Sequence, residues 1–541
     1  ARARIGLAAL KPLRDAVAAI KDRTTLSKAL GTLHAHGVRA ALSLTAAPDF
    51  RAGATTILHL DSGGLTLGDR SYYLDAKEPL GGADYSKLRR AYEDAVAAVF
   101  EAAGESSKDA RGAARDVLAL ETQLARAARS SYERRAAPML HDRIDLVGLA
   151  EEAPQLDWTA YFAALGGDAP AINTTSRAYL HRVGVLAKSV RAGMWQHYLE
   201  WRLLYTFGFD GTVELAAARR AVDGLHAEPA AAPELETRCA RATIEALPAL
   251  IASQLVAEPV RERATAITGA LAEELARGAA ASTWMTESTR ARAVAKVGAV
   301  QRTVAGTDPG TPPAIGAGHL ANAIAARRAA TARALGAARA GTDAWSNPAH
   351  TGVSYQWLGN TLRVPAGVLA MPIVSTERPI ALDLGALAAL AGHELAHAID
   401  ERGADWSERG DLGNWWQAAD DAAFARTSAC FVARARAAKL DAHAVLGEAR
   451  ADAAGIAAGV RALPAMRATS PRHRIADLSD EQLYFLGAAT ALCAREPAVT
   501  GGNRPPARYR VNATFADLPA FADAWSCPAN APMRAATPCT P

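Results

Sequence analysis

The feature that most constrains this chain is a short apolar segment that contains two histidines. From Ala391 to Asp400 the sequence reads Ala-Gly-His-Glu-Leu-Ala-His-Ala-Ile-Asp, and its Ala and Leu content predicts a helix. Residues four apart share a helix face, so His393 and His397 direct two imidazoles toward one point, with Glu394 at the rim. This arrangement is typical of zinc held by two histidines, beside a carboxylate that activates a zinc-bound water. The alternative is a chance match, with odds of about one in a hundred.

A third protein ligand is needed, since two histidines and a water leave one of four zinc positions to fill. The best candidate is Glu448, in the segment Gly-Glu-Ala-Arg-Ala-Asp that begins at Gly447 and opens another helical run. Asp452 follows one turn later on the same face, where it can accept a hydrogen bond from a ligand imidazole. Glu-x-x-x-Asp alone is usually a solvated helix face. The prediction of one zinc ion per chain therefore depends on both segments together.

Composition limits the class of protein. A length of 541 residues suffices for two or more domains, and 50% hydrophobic with 21% charged residues is typical of a globular protein. The net charge of +4 is too small to indicate nucleic acid as a partner. No apolar run is long enough to span a bilayer, because Arg, Asp and Glu interrupt the Ala-rich stretches.

The spacing of apolar residues indicates a mainly helical chain with little sheet. In the first half apolar residues recur three and four apart, and one short strand is expected at 55–60. A loop rich in Gly and Pro at 306–313 marks the expected boundary between residues 1–305, a mostly helical lobe, and residues 306–541, the catalytic lobe. Residues 355–369 read as extended, and a strand ahead of the zinc helix offers an edge to an extended peptide.

The cysteines favour an exported protein. There are five, and none forms a Cys-x-x-Cys pair that would indicate a cysteine-bound metal. Three of them lie in loop-like sequence in the last tenth of the chain, and the spread of the five favours disulfides; the alternative is a set of buried free thiols. An odd number leaves at least one cysteine unpaired within this chain.

Further blocks accompany the two zinc segments in a fixed order: Gly63–Leu74, Gly403, Asp411-Leu412, Trp415-Trp416, Cys430, Gln482–Phe485, Cys493 and Tyr509–Asn512. With these blocks the chain resembles the neprilysin and endothelin-converting-enzyme family of zinc metallopeptidases, as a bacterial-type member. The resemblance covers essentially the whole chain. It implies a mainly α fold of two largely helical lobes around an internal cavity, in which residues 1–305 cap the cavity. It also implies a thermolysin-like catalytic core with a small sheet in the C-terminal lobe.

The resemblance also implies an activity and the residues that perform it. It implies a secreted or periplasmic endopeptidase that cleaves oligopeptides small enough to enter the cavity. Glu394 would be the general base for a zinc-activated water, Asp452 would support a ligand histidine, and Arg510 would contact a substrate carbonyl or carboxylate. The residues implied to bind zinc are His393, His397 and Glu448.

Two positions depart from the pattern of that family. Gly352 stands where the family has an asparagine that holds the substrate backbone, and Arg504 stands where it has a histidine that stabilises the oxyanion. Either Arg504 replaces the histidine as an electrophile or the site is impaired, since loss of an oxyanion donor costs about a hundred- to a thousandfold in rate. His473 is a substitute donor, although exposure beside two arginines is the simpler interpretation. The alternatives to an oligopeptidase are therefore a zinc-bearing peptide-binding or assembly subunit, and a hydrolase of a small amide or biosynthetic peptide.

Disulfide pairing is a further implication of the resemblance. Cys430 is expected to pair with Cys539. A segment that precedes Ala1, or a second chain, is expected to supply partners for the other three cysteines, which are Cys239, Cys493 and Cys527.

Overall fold

The fold is taken from a computed structural model, which describes residues 7–75, 84–130, 133, 141–167, 171–225, 234–306, 311–343, 345, 348–370, 372–470, 473–494 and 505–541.

Helices make up most of the described chain. Those of the first half are α1 (Lys11–Ala18), α2 (Arg23–Ala35), α3 (Ser71–Leu74), α4 (Tyr85–Ala102), α5 (Ser107–Ala125), α6 (Leu146–Glu152), α7 (Trp158–Leu165), α8 (Arg177–Ser189), α9 (Ala192–Phe207), α10 (Val213–Asp223) and α11 (Leu235–Ala246). Those of the second half are α12 (Pro248–Leu255), α13 (Glu258–Ala280), α14 (Glu287–Gly298), α15 (His319–Ala340), α16 (Ile380–Leu387), α17 (His393–Ala396), α18 (Ala418–Ala437), α19 (Ala442–Ala468), α20 (Asp480–Ala491), α21 (Ala507–Ala516) and α22 (Pro519–Ala524).

Seven strands form two small sheets. They are β1 (Leu42–Asp49), β2 (Ala52–Ser62), β3 (Arg143–Ile144), β4 (Ile172–Thr174), β5 (Gln301–Val304), β6 (Ser354–Gln356) and β7 (Thr361–Val364). The first sheet has the order β1-β2-β4-β3, with β2 parallel to β4 and β3 antiparallel to it. The second has the order β5-β7-β6, with β5 parallel and β6 antiparallel to β7, so β6 is an edge strand.

Polar residues at helix starts explain several of the helix boundaries. Asp22 accepts the Thr25 N–H at 2.9 Å ahead of α2, and the Thr25 hydroxyl accepts the Asp22 N–H in return. Ser479 and Gln482 form the same reciprocal pair at α20. Asp441 caps α19 by accepting two backbone N–H groups. Such caps satisfy amide groups that the first turn of a helix leaves without partners.

The chain divides into two compact units. Unit 1 comprises Ala1–Pro48, Thr55–Leu247 and Thr311–Ser346, and unit 2 comprises Asp49–Ala54, Pro248–Gly310 and Asn347–Pro541. The chain passes between the units several times. The expected domains, 1–305 and 306–541, stay a prediction.

Unit 1 has an aromatic core that encloses the carboxylate of Glu121. Large aromatic side chains of α4 and α9 are fully buried, among them Tyr92, Trp195, Tyr198 and Trp201. Glu121 of α5 is also inaccessible to solvent, and it accepts hydrogen bonds from the hydroxyls of Thr66, Tyr73 and Tyr92 at 2.7–2.8 Å. The carboxylate is thus tolerated in the core because hydroxyl groups satisfy its oxygens.

Unit 2 is built around a buried α-helix that is interrupted by a π-helical turn. α16 is largely apolar and buried, as expected of a helix in the centre of a core, and its one charged residue, Asp383, pairs with Arg263 and Arg378. It continues through one π-helical turn, Ala388–Gly392, into α17. α19 crosses this turn at Gly455, where a Cβ would lie 2.5 Å from backbone atoms of Gly392 and His393. Glycine at this crossing lets the two helices approach closely enough to share a site.

The fold class expected from the sequence, mainly helical with a small sheet in the C-terminal part, is confirmed. The strand expected at 55–60 lies within β2. β6 and β7 cover part of the stretch 355–369 that was expected to be extended, and Ala366–Val368 near its end forms a 3-10 helical turn instead. The four-stranded sheet of unit 1 was not expected, because β3 and β4 have two and three residues and are too short to show alternation. None of the helices in the described part combines the length and hydrophobicity needed to cross a bilayer.

Candidate metal centre

Three side chains converge at the end of the buried helix. His393 Nε2 lies 3.3 Å from His397 Nε2 and 3.3 Å from Glu448 Oε2, and His397 Nε2 lies 3.9 Å from Glu448 Oε1. Ligands about 2.0–2.1 Å from a tetrahedral zinc ion are about 3.3 Å apart. The predicted ligands His393, His397 and Glu448 therefore form a group with the spacing and chemistry that zinc requires.

A carboxylate lies behind each of the two imidazoles. Asp452 Oδ1 is 2.7 Å from His393 Nδ1, and Asp400 Oδ2 is 2.6 Å from His397 Nδ1. A carboxylate at Nδ1 fixes the ring orientation and keeps the proton on that nitrogen, so that Nε2 presents its lone pair. Both histidines are thereby prepared to bind a metal through Nε2.

The two carboxylates are held by different groups. Asp452 is paired with the buried Arg510, whose Nε donates to Oδ2 at 2.8 Å and whose Nη2 donates to Oδ1 at 2.5 Å. Asp400 Oδ1 instead accepts the backbone N–H groups of Arg402 and Gly403, at 2.9 and 2.7 Å. The carboxylate behind His393 is therefore held by a guanidinium, and the carboxylate behind His397 is held by the loop that follows the zinc helix.

These contacts determine the charge states of the centre. Burial alone raises the pKa of Asp452, but the His393 and Arg510 cations outweigh it and lower that pKa to about 2. Burial lowers the pKa of His393, and the Asp452 carboxylate overcomes this effect and raises it to about 9. The pKa of His397 is raised as well, since the hydrogen bond that His397 donates to the Asp400 carboxylate outweighs the lowering by burial. The anionic carboxylates thus favour a cation between the imidazoles.

The predicted base lies beside the edge strand. Glu394 is half-buried, and its Oε2 accepts the backbone N–H of Tyr355 in β6 at 2.8 Å. The indole N–H of Trp357, in the following turn, donates to the His397 carbonyl at 3.0 Å. The β6 segment is thereby attached to the zinc helix at two points.

The remaining sequence candidates have different outcomes. Gly352 lies two residues ahead of β6, and its N–H donates to His350 Nδ1 at 3.0 Å. His473 lies ahead of α20 and is not one of the residues that converge at the metal centre. Arg504 lies outside the described residues.

A disulfide supports the helix that carries Glu448. Cys430 of α18 is bonded to Cys539, as expected from the resemblance. The pair packs with Phe431, Ala449 and Ala453, of which the two alanines flank the Glu448 turn of α19. In the described part of the chain, Cys239, Cys493 and Cys527 form no disulfide.

Sequence analysis missed two contributors to the centre. Asp400 was recognised only as part of the zinc segment, although its position three residues after His397 is a usable signal for a supporting carboxylate. The Tyr355 N–H carries no side-chain signal at all, because it is a backbone donor.

The chain is similar to known proteins in sequence and in fold. Two family models, both described as peptidase family M13, match residues 1–306 and 354–540. Human endothelin-converting enzyme 1 is 24% identical over 533 residues, covering 91% of this chain and 68% of that protein. The inhibitor complex of Mycobacterium tuberculosis zinc metalloprotease Zmp1 has a TM-score of 0.79 at 22% identity, covering 98% of this chain and 85% of that one. PepO of Lactobacillus rhamnosis has a TM-score of 0.78 at 19% identity, covering 99% and 86%.

Proposed function

Since the chain belongs to peptidase family M13, we propose that it hydrolyses oligopeptides at the centre formed by His393, His397 and Glu448. It is a zinc metalloendopeptidase, as the sequence resemblance implied. The finer proposal concerns the residue roles and the substrate. The observation that carries it is the combination of three convergent ligand atoms with a carboxylate, Glu394, fixed next to them by the Tyr355 N–H.

Glu394 is the proton carrier in this proposal. His393, His397 and Glu448 would hold a zinc ion, whose Lewis acidity would serve to polarise a peptide carbonyl and to acidify a water molecule. Tyr355 binds one oxygen of Glu394 through its N–H, which fixes the direction of the carboxylate. Glu394 then takes the proton of the attacking water and transfers it to the amine that leaves.

Substrate is positioned by β6 and Arg510. β6 is an edge strand, so its outer backbone groups can pair with an extended peptide in the manner of an added strand. Arg510 is anchored to Asp452 through Nε and Nη2, and in the proposal its Nη1 donates to a substrate carbonyl or carboxylate. Gly352, just ahead of β6, offers no side chain to the substrate, which leaves recognition in this segment to the backbone.

Arg504 takes the role of the oxyanion donor in this proposal. Its sequence position corresponds to the family's histidine, and a guanidinium is a permanent cation with several donors. Arg504→Ala is expected to lower the turnover of a peptide by about a hundred- to a thousandfold, while zinc content stays at one per chain. His473→Ala is the matched control, and it should leave turnover unchanged.

The activity is tested by exposing the zinc-loaded protein to a mixture of short peptides, with and without a chelator. Mass spectrometry is expected to show internal cleavages that chelation abolishes and that added zinc restores. Binding of peptides with one zinc per chain but no cleavage would contradict the proposal and favour a peptide-binding subunit. Cleavage confined to one small amide or one peptide would favour a specialised hydrolase.

An extracytoplasmic location is part of the proposal, supported by the Cys430–Cys539 disulfide. The remaining cysteines are proposed to pair outside this chain, and Cys239 and Cys493 are exposed in the structure. Intact mass under non-reducing conditions tests this pairing. Three free thiols without an attached peptide would contradict it.

A further inference from the structure

Unit 1 contains a cationic cavity that the peptidase function does not use. Its volume is about 600 Å³, and all of its lining residues belong to unit 1. Among the described residues that line it there is no aspartate or glutamate. Four guanidinium groups line it, those of Arg39, Arg202, Arg219 and Arg327.

Two of the four arginines are buried and fixed. Arg202 Nε donates to the Arg39 carbonyl at 2.7 Å, and its Nη1 donates to the Thr66 hydroxyl at 2.9 Å. Arg219 Nε donates to the Tyr205 carbonyl at 2.9 Å, and its guanidinium lies 3.5 Å from the centre of the Tyr205 ring. Their donors are therefore held in place before any ligand arrives, which reduces the entropy lost on binding.

The charges of this buried pair are partly offset. Thr66 connects Arg202 to Glu121 by a hydrogen bond of 2.8 Å, and Arg219 Nη1 binds Asp223 at 2.6 Å. Both carboxylates lie outside the cavity lining. The guanidinium groups of Arg202 and Arg219 consequently provide the cavity with oriented hydrogen-bond donors more than with net positive charge.

The net positive charge of the cavity rests on the other pair. Arg39 and Arg327 are exposed, and neither forms an ion pair with a residue in the described ranges. The Arg327 guanidinium lies 5.7 Å from the centre of the Phe207 ring. Asp210 is also near Arg327, but its Oδ1 is bonded to His319 Nε2 at 2.8 Å. Arg39 and Arg327 thus carry up to two positive charges for a ligand to neutralise, and Asp210 offsets part of the charge on Arg327.

We propose that this cavity binds a phosphate dianion, either as the free ion or as the phosphate of a small monoester. Guanidinium forks match the oxygens of phosphate two at a time, and two charges balance Arg39 and Arg327. Gly63 and Gly64 line the cavity without side chains, so a ligand can approach the backbone there. The hydroxyls of Ser43 and Ser62 supply further donors at the wall, whereas the Thr206 hydroxyl donates to the Arg202 carbonyl at 2.8 Å.

The binding test is a calorimetric titration of the zinc-loaded protein with inorganic phosphate, with phenyl phosphate and with the monoanion phenyl sulfate. Both phosphates are expected to bind, and phenyl sulfate is expected to bind at least about tenfold more weakly, because it carries one charge. Tighter binding of phenyl phosphate than of inorganic phosphate identifies a monoester as the ligand. Equal affinities identify the free ion.

The location is tested with charge-neutral variants of the exposed pair. Arg39→Gln and Arg327→Gln are each expected to weaken phosphate binding at least about fivefold, and the double variant is expected to abolish it. Arg328→Gln is the matched control, since Arg328 is the exposed neighbour of Arg327 on α15 and does not line the cavity. Its affinity should equal that of the wild type.

Two results would overturn the proposal. One is the absence of phosphate binding to the wild-type protein. The other is equal phosphate affinity of the wild type and the double variant, which would locate the ion elsewhere, such as at the zinc. Unchanged thermal unfolding midpoints of the variants would show that lost binding reflects the missing guanidinium groups and not a loss of structure.

Discussion

Each unit contains a carboxylate that water does not reach, and the two have opposite surroundings. Glu121 in unit 1 is bound by three hydroxyl groups, and Asp452 in unit 2 is bound by the His393 imidazole and the Arg510 guanidinium. Burial raises the pKa of Glu121, and the nearby Arg202 charge together with the hydroxyls bound to Glu121 lowers it by less, so the pKa of Glu121 is raised overall. The pKa of Asp452 is lowered to about 2 despite its burial, because its partners are cationic.

This difference separates a structural carboxylate from a functional one. Burial is the same for both groups, so it cannot be the feature that identifies an active site. What differs is the hydrogen-bond partners. Those of Glu121 are neutral hydroxyl groups, whereas those of Asp452 carry charge and connect it to a predicted metal ligand. Asp452 orients a histidine of the candidate metal centre, whereas Glu121 connects helices of a core.

Within the comparison of these two carboxylates, the largest expected effect is a loss of zinc affinity. Asp452→Asn replaces the anion behind His393 by a neutral amide, and we expect zinc to bind about 10–100-fold more weakly, measured by competition with a chelator. Glu121→Gln is the matched change in unit 1, and it should leave zinc affinity unchanged. Equal losses in the two variants would remove the distinction between the two carboxylates.

A smaller loss of zinc affinity is expected at the other histidine. Asp400→Asn keeps one oxygen for the Arg402 and Gly403 N–H groups but weakens the contact with His397 Nδ1. We expect zinc to bind about tenfold more weakly, because backbone amides still hold the side chain in position. A larger loss of zinc affinity in Asp400→Asn than in Asp452→Asn, measured by chelator competition, would contradict this prediction.

The smallest effect concerns the pH dependence of stability through Glu121. Because its pKa is raised above the ordinary value of 4.5, the folded chain binds more protons than the unfolded chain between these two values. The contribution of Glu121 to the free energy of unfolding is therefore at its maximum below pH 4.5, and it decreases as the pH rises through the raised pKa. Relative to Glu121→Gln, the wild type should gain stability as the pH falls through the raised pKa toward 4.5.

That pH effect can be measured as the difference between the thermal unfolding midpoints of the two proteins at each pH. The Gln variant also loses hydrogen bonds to buried hydroxyls, which costs about 1–3 kcal/mol at all pH values. A difference between the midpoints that does not change with pH would contradict the raised pKa of Glu121.

The zinc ligands were predictable because local spacing encodes them. His393 and His397 are four residues apart in one helical segment, and Glu448 and Asp452 are four apart in another. The spacing therefore predicts that the two members of each pair lie on the same helix face. That the two helices meet followed only from the family resemblance. The physical reason is visible in the structure, where Gly455 removes the side chain that would keep α19 away from Gly392.

The supporting contacts could not be predicted, because they depend on tertiary placement. Arg510 is 58 residues from Asp452, and no periodicity connects the two. Asp400 binds His397 because the chain leaves the helix after Ala396 and turns its backbone amides toward the carboxylate. The sheet of unit 1 was missed for a different reason, since β3 and β4 are too short to show a pattern.

The most direct test of the account compares peptide hydrolysis by the wild type and by Glu394→Gln, each with its zinc content measured. Glu394 is placed next to the ligands without being one of them, so the variant should keep one zinc per chain. We predict that its turnover of a peptide cleaved by the wild type falls by about 10²–10⁴-fold, because the proton acceptor is lost. Hydrolysis at the wild-type rate by the zinc-loaded variant would contradict the central claim that Glu394 is the general base.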